Sequence, residues 1–407
     1  MNVEKINQIL ADTAYIRTGG SKEELKCAEY IKEKCAEWGL EAYLEPFDVS
    51  MADIKKAVLL ADGVEIPCKG YKCSGSGEIE APLYYLRYDD PCSLAGCKGK
   101  IVLIDAGMKY WNYRDLLNNG AVGFITYDGN VNYTDDDIDQ KELRTFISQG
   151  VEKILGVNIN AKKAVELIKN DTKTVKIMIN QDEYVGHSHN VILDLPGEID
   201  ESIVFTAHYD SSPLSPGAWD NMSGSIALLA IAEKYAKAPH RYGLRLIWCG
   251  SEERGLLGSK AYVAAHEEDL KKHALCINVD MIGSIMGNMY VCSTCEEKLV
   301  SYVEYLASIK GKDVKSYQDV YSSDSTPLAD KGVPAVSFAR LAPGHVASAH
   351  NRYDTITQLK PDLMAEDIDF ILLFTDQMAN AAHIPVSREI PENMKSKLDI
   401  YLNRKRK

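Results

Sequence analysis

Near the start of the chain the apolar positions fall at helical intervals: Leu25, Ala28, Ile31, Cys35 and Trp38 line one face of a helix. Ser21 stands before Glu24 at the spacing of a capping box, and Gly39 stops the helix. Residues 1–45 therefore read as two helices, after which Glu41-Ala-Tyr-Leu-Glu-Pro-Phe-Asp-Val opens an extended segment. From about 46 to 183 the pattern changes to short β-rich runs broken by turns. These are Lys56-Ala-Val-Leu-Leu, Ala81-Pro-Leu-Tyr-Tyr-Leu and Lys100-Ile-Val-Leu-Ile-Asp. One helix begins near Tyr113 and closes at Gly120, Ala121-Val-Gly-Phe-Ile-Thr-Tyr forms the next strand, and the acidic stretch Asp135 to Asp139 reads as a solvated loop.

Beyond about 184, strands and helices alternate. Ile203-Val-Phe-Thr-Ala, Leu244-Arg-Leu-Ile-Trp-Cys, Ala274-Leu-Cys-Ile-Asn-Val and Ala335-Val-Ser-Phe read as strands. Ser223–Lys237, Leu256–His266 and Glu296–Lys310 read as helices between them. That alternation predicts an α/β sheet with helices on both faces. No internal repeat or low-complexity segment interrupts it.

A chain of 407 residues is too long for one small core and suggests two domains, or one with an insertion. The net charge of -13 argues against a nucleic-acid partner, since phosphate binding needs a basic face. The basic run Arg404-Lys405-Arg406-Lys407 reads as a solvated helix end. No window approaches the ~20 apolar residues of a membrane span, and Met1-Asn-Val-Glu-Lys-Ile-Asn lacks the apolar stretch of an export signal. With 10 cysteines scattered along the chain, the expectation is a cytoplasmic protein with mostly free thiols. Cys292-Ser-Thr-Cys295 has no second such pair to complete a zinc site. Oligomeric state is not legible.

The candidate chemistry lies between His208 and Asp354. His208-Tyr-Asp210, Asp220, Glu252-Glu253, Asp280, and His350 with Asp354 each stand at the end of a predicted strand or in the loop after one. Two imidazoles and three carboxylates match what two zinc-like ions require, with one carboxylate bridging. Asp220 lies just before a helix and would serve equally as an N-cap, but Gly217 and Gly224 allow close backbone approach around it. Adjacent Glu252 and Glu253 repel one another unless cations are near; one can bind metal while the other carries a proton. Asp280 follows an apolar run, where an unpaired carboxylate is costly.

Together these motifs resemble the co-catalytic di-zinc peptidase family that includes bacterial leucine-type aminopeptidases, glutamate carboxypeptidase and the transferrin receptor. The carriers are His-Tyr-Asp at 208–210, Gly-Ala-Trp-Asp-Asn-Met-Ser-Gly at 217–224 and Glu-Glu-Arg-Gly-Leu-Leu-Gly-Ser at 252–259. Asn-Val-Asp-Met-Ile-Gly at 278–283 and His-Asn-Arg-Tyr-Asp-Thr at 350–355 complete the set. The resemblance implies a mixed, mostly parallel central sheet of zinc-exopeptidase type. It implies two divalent ions, Zn2+ by the donor set, one on His208, Asp280 and Asp220 and the other on Glu253, His350 and Asp220. Glu252 falls on the general acid/base, working on a metal-bridged hydroxide; Asp210 and Asp354 would support the two histidines, Asp210 being counted with the catalytic pair. The middle segment resembles a protease-associated domain through Cys97-Lys-Gly-Lys-Ile-Val-Leu-Ile-Asp, Asn119-Gly-Ala-Val-Gly-Phe-Ile-Thr-Tyr and Asn190-Val-Ile-Leu-Asp-Leu-Pro-Gly.

The implied organisation is 1–45 as N-terminal helices of the peptidase domain, 46–183 as the insertion, 184–386 as the di-metal catalytic domain and 387–407 as a tail. The implied function is an aminopeptidase acting on peptides. The alternatives are a carboxypeptidase of the same family and a non-catalytic receptor or scaffold, which would have lost ligands that are all present here. A one-metal glutaminyl cyclase fits poorly with intact His208 and Asp220. Two departures touch the mechanism. Ala349 stands where relatives carry a Tyr that steadies the oxyanion, leaving His345 and Tyr353 as weak substitutes; Ser323-Asp324-Ser325 stands where relatives show Ser-Asp-His.

Overall fold

The computed structural model describes residues 1–105, 107–132, 134, 137–344 and 346–407. His345, and Asp135 and Asp136 of the acidic stretch, lie outside the described residues. The chain divides into two compact units: Met1–Val49 with His187–Lys405 and Lys407, and Ser50–Gly186 with Arg406. No helix of the described residues is long and apolar enough to cross a membrane.

The first unit is built on a mixed sheet. Its strand order is Val314–Gln318, Asn288–Thr294, Ala335–Leu341, His273–Val279, Ile199–His208, Tyr242–Cys249, and the end of Thr174–Leu195. The four strands from Ala335–Leu341 to Tyr242–Cys249 run parallel, while the pairings of Asn288–Thr294 with Ala335–Leu341 and of 244–248 with 191–195 are antiparallel. Side chains alternate between the faces of a strand, and here the alternation feeds two separate cores. Ile203, Phe205, Leu246, Trp248, Leu275 and Ile277 pack on one side with the helices Val3–Asp12, Lys22–Glu37, Ser223–Tyr235 and Pro361–Ala379. Val204, Ile247, Cys249 and Cys276 face the other, against Leu257–Ala265, Ser325–Asp330 and Glu392–Tyr401. The sheet thus carries helices on both faces. The helix pair at the start of the chain buries Ile6, Ile9, Cys27, Ala28 and Ile31 in the larger core, with Ser21 capping the second helix through a 3.1 Å bond from Glu24 N–H.

The second unit departs from a series of short β-runs. Its sheet joins 77–82 antiparallel to 174–179, then runs parallel through 83–86, Ile101–Ile104, Gly123–Asp128 and Leu155–Asn160. Helices Tyr110–Asn118 and Ala161–Lys169 accompany the parallel strands, so this unit is itself α/β. The second helix has apolar residues at helical spacing, Ala161, Ala164, Val165 and Ile168, and buries Ala164 and Leu167. Residues 387–407 are also more than a tail. Helix Glu392–Tyr401 buries Met394 and Leu398 in the smaller core of the first unit, and Arg404 is paired with Asp330 at 2.5 Å.

Candidate metal centre

The four neighbouring parallel strands deliver the polar residues at their carboxyl ends, where open α/β sheets gather ligands. His208 is the last residue of Ile199–His208, and Asp280 follows His273–Val279. Glu252 and Glu253 form a tight turn after Tyr242–Cys249, and His350 stands on the loop beyond Ala335–Leu341. The loop after His208 doubles back to bring Asp220 beside it. Gly217 makes that path possible with φ +57°, and a Cβ there would come within 2.6 Å of Ser211 Cβ. A Cβ on Gly224 would meet the Val279 carbonyl oxygen at 2.2 Å, so the helix starting at Ser223 can lie this close to the Asp280 strand only without one. Asn221 ties the two loops together, donating to Val279 O at 2.9 Å and accepting from Met281 N–H at 3.0 Å. Left-handed backbone recurs at Ser251 (φ +53°), Met281 (φ +64°) and His350 itself (φ +60°), the kind of strain that a surrounding structure sustains at working sites.

Asp220 sits between the two imidazoles. One carboxylate oxygen is 3.0 Å from His208 Nε2 and the other 2.9 Å from His350 Nε2. Asp280 Oδ1 lies 3.6 Å from His208 Nε2, and Glu253 Oε2 lies 3.6 Å from His350 Nε2. Two triads result, His208–Asp220–Asp280 and Asp220–Glu253–His350, sharing Asp220. His208, Asp220, Glu253 and Asp280 are all buried, while His350 leaves 65% of its side chain exposed and marks the open side.

These residues fit two metal ions. Donors held about 2.1 Å from a tetrahedral zinc stand roughly 3.4 Å from one another, and the four separations above bracket that value. Glu253 Oε1 and Asp280 Oδ1 are buried yet accept no hydrogen bond, a costly state for a carboxylate that a coordinated cation removes. The field points the same way. Burial lowers the proton affinity of His208, but the carboxylates of Asp210, Asp220 and Asp280 outweigh it and raise the imidazole well above its ordinary pKa. A site that so favours a proton on a buried imidazole favours a metal cation in its place.

Around the triads, Asp210 and Asp354 hold backbone rather than metal. Asp210 accepts Glu252 N–H at 3.0 Å and Glu253 N–H at 3.2 Å, and its Oδ1 lies 3.4 Å from His208 Nδ1, long for a hydrogen bond. Asp354, expected beside His350, instead accepts Trp219 N–H at 2.8 Å and Asp220 N–H at 3.0 Å. The correction has a simple cause: Asp354 is fully buried under the Asp220 loop, whereas His350 projects outward. Glu252 is half-buried, and burial, with the nearby Asp324, Glu253 and Asp280 charges, pushes its carboxyl well above the ordinary range despite His208.

The structure adds two residues. Asp324 is buried, accepts the Ser259 hydroxyl at 2.6 Å and is pushed up to about 7 by burial. Its place in Ser323-Asp324-Ser325 was visible in the sequence, but without the following His it carried no role. Tyr321 lays its hydroxyl 3.4 Å from the Asp280 carbonyl oxygen, and burial, then the Asp280 and Asp220 charges, hold the phenol well above its ordinary pKa. Tyr353, by contrast, is 46% exposed. Cys292 and Cys295 are buried free thiols and build no site.

The fold and the shared carboxylate define a two-metal centre of hydrolytic type on an α/β sheet. The profile of peptidase family M28 matches residues 190–375, the span that carries every ligand, and over that span the chain is similar to the family. Aminopeptidase YwaD of Bacillus subtilis (strain 168) is 29% identical over 342 residues, covering 79% of this chain and 71% of that one. Leucine aminopeptidase 2 of Trichophyton rubrum is 29% identical over 197 residues, covering 47% of this chain; the chain spans only 38% of that relative's length. Among solved structures, BSAP, a zinc aminopeptidase from Bacillus subtilis, superposes with a TM-score of 0.77 at 24% identity over 97% of this chain and 98% of its own. An aminopeptidase from Aneurinibacillus sp. strain AM-1 gives 0.74 at 23% identity over 95% and 96%. At these identities the two structures speak for the fold.

Proposed function

We propose that this chain is a metal-dependent aminopeptidase that removes N-terminal residues from peptides. The observation that carries the reading is Asp220, whose two carboxylate oxygens divide between His208 and His350 with Asp280 and Glu253 completing the triads. Two divalent ions bound there supply Lewis acidity toward a peptide carbonyl and a water of lowered pKa. His208, Asp280 and one oxygen of Asp220 would hold one ion; His350, Glu253 and the other oxygen would hold the second.

The remaining work falls to the chain. Glu252, in the same turn as Glu253 and with its proton affinity raised, is the group that takes a proton and returns it to the leaving amine. Asp210 fixes that turn through two consecutive N–H groups. Tyr321 offers a hydroxyl beside Asp280, in the role that Ala349 cannot fill. The preference for the amino end is supported by the similarity to aminopeptidase YwaD and leucine aminopeptidase 2. The unit Ser50–Gly186 is read as the protease-associated insertion, and buried free thiols such as Cys27, Cys35, Cys249 and Cys276 support a reducing cytoplasm as the chain's place of work.

The test is digestion of a defined peptide mixture by the zinc-loaded protein, followed by mass spectrometry. Stepwise loss from the amino end is expected. Loss from the carboxyl end would assign a carboxypeptidase, and no cleavage at all a binding protein on the same centre.

A further inference from the structure

The mechanism leaves one part of the core unused: the turn and helix start between Arg17 and Glu24, nearly two hundred residues before the first ligand. Arg17 is fully buried, and every partner its guanidinium finds is a backbone carbonyl. Nε donates to Tyr209 O at 2.5 Å, Nη2 to Gly217 O at 2.6 Å, and Nη1 to Pro216 O, with Thr13 O and Tyr15 O at 3.2 Å. Its backbone adds to the grip. Arg17 N–H donates to Ser211 Oγ at 3.1 Å, and Arg17 O accepts Ser211 N–H at 3.2 Å. Arg17 therefore spans the loop from just after His208 to just before Asp220. A buried charge with no carboxylate is expensive, and stapling several carbonyls at once is what the forked guanidinium can do and an apolar residue cannot.

The other end of the segment grips the proton-carrying turn. Glu24, also buried, accepts Ser251 N–H at 2.9 Å, the Ser251 hydroxyl at 3.3 Å and the Ser188 hydroxyl at 2.8 Å. Between them, Gly19 O accepts Arg254 Nη1 at 2.9 Å, and a Cβ on Gly19 would meet Ser251 Oγ at 2.3 Å. Ser251, Glu252 and Glu253 thus have three consecutive N–H groups held by two buried carboxylates, Glu24 for the first and Asp210 for the other two.

Resting on the reading of a two-metal aminopeptidase, we propose that the Arg17–Glu24 segment is a positioning element that sets the distance between the metal-ligand loop and the Glu252 turn. Arg17 acts on the ligand side and Glu24 on the proton-transfer side; neither touches the reacting atoms. A segment that merely filled the core would change stability alone. A segment that sets spacing changes metal affinity at one end and turnover at the other.

The experiment compares Arg17→Met and Glu24→Met with the wild-type full chain, with Glu24→Gln as control. Zinc affinity is measured by competition with a chromogenic chelator, kcat and KM on an aminoacyl chromogenic substrate at saturating zinc, and folding by circular dichroism. Arg17→Met, which keeps an apolar stem without donors, should bind zinc at least tenfold more weakly. Glu24→Met removes every acceptor, and should hold two zinc ions with wild-type affinity and lose about tenfold in kcat at unchanged KM. Glu24→Gln should stay near the wild type, because one side-chain oxygen makes all the contacts to Ser251 and Ser188. Wild-type zinc affinity in folded Arg17→Met, or wild-type kcat in folded Glu24→Met, overturns the proposal. Should one of the two Met variants fail to fold, the other decides. A wild-type chain that binds two zinc ions but cleaves no aminoacyl substrate fails the functional reading instead, which separates the two outcomes.

Discussion

Asp354 holds Asp220 by its backbone: the Asp354 carboxylate accepts the Asp220 amide at 3.0 Å and the Trp219 amide at 2.8 Å. The shared ligand is thus aimed by a second carboxylate that belongs to neither triad. Asp354→Ala would bury two N–H groups without an acceptor, at about 1–3 kcal/mol each. Lowered thermal stability and zinc content are expected, with Asp354→Asn, which keeps one acceptor oxygen, falling between. Calorimetry with elemental analysis checks it; a full zinc complement in Asp354→Ala would leave Asp354 no role in aiming Asp220.

Asp220 is common to both triads, so its removal should weaken both ions together and not one. Asp220→Ala also withdraws a negative charge from between two cations. Elemental analysis after dialysis against zinc-free buffer should find well under one ion per chain. Two tightly held ions would show that the carboxylate does not bridge.

Glu252→Gln preserves size but takes no proton. Zinc content should stay at two and kcat should fall by ~10²–10⁴, the usual contribution of general acid–base catalysis. Glu253→Gln should lose zinc as well as rate. The reverse pattern would exchange the two roles.

Tyr321→Phe removes the hydroxyl beside Asp280 and leaves the ring. If that hydroxyl steadies charge developing on the substrate carbonyl, kcat should fall by ~10² with zinc content unchanged. An unaltered kcat would make Tyr321 a packing residue.

His273 gives a pH test away from the metals. It is buried, with Nδ1 2.7 Å from Ser202 Oγ and Nε2 2.8 Å from Tyr262 OH, and burial, then Arg245, lowers its pKa to about 3. Between about 3 and the ordinary 6.5 the unfolded chain binds a proton that the folded chain refuses. This contribution is therefore intact above 6.5 and is lost as the pH falls. From pH 7 to 5 the loss is about 2 kcal/mol at ~1.4 kcal/mol per unit. His273→Gln should start less stable and lose less over that interval in urea titrations; equal losses would mean the imidazole titrates normally.

The ligands were legible because each lies at the end of a strand with a strong apolar pattern or in the loop after one: His208 after Ile203-Val-Phe-Thr-Ala, Asp280 after Ala274-Leu-Cys-Ile-Asn-Val. What holds the ligands was far less so. Arg17 and Glu24 act through carbonyls and amides of loops distant in the chain, and nothing local marks an arginine as a staple. Asp354 was placed near the centre correctly but given the wrong neighbour, because sequence spacing says how near two residues are along a loop and not which way the loop turns. Helix Ala161–Lys169 was missed for another reason: it is 9 residues long, so its helical apolar spacing passes for one more short run in a β-rich stretch. The basic run at the end of the chain was read as a helix end, but the burial of Met394 and Leu398 by Glu392–Tyr401 was not.

The order of the ligands along the chain also bears on how the protein is made. His208 and Asp220 leave the ribosome early, Glu253 and Asp280 follow, and His350 comes last, borne on a loop beyond the fourth of the parallel strands. Until that loop is synthesised, one triad lacks its imidazole and the clustered carboxylates repel one another with only part of their counter-charge. A chain ending before His350 would carry the complete His208–Asp220–Asp280 set but only the two carboxylates of the other, so the two sites are completed at different points of synthesis.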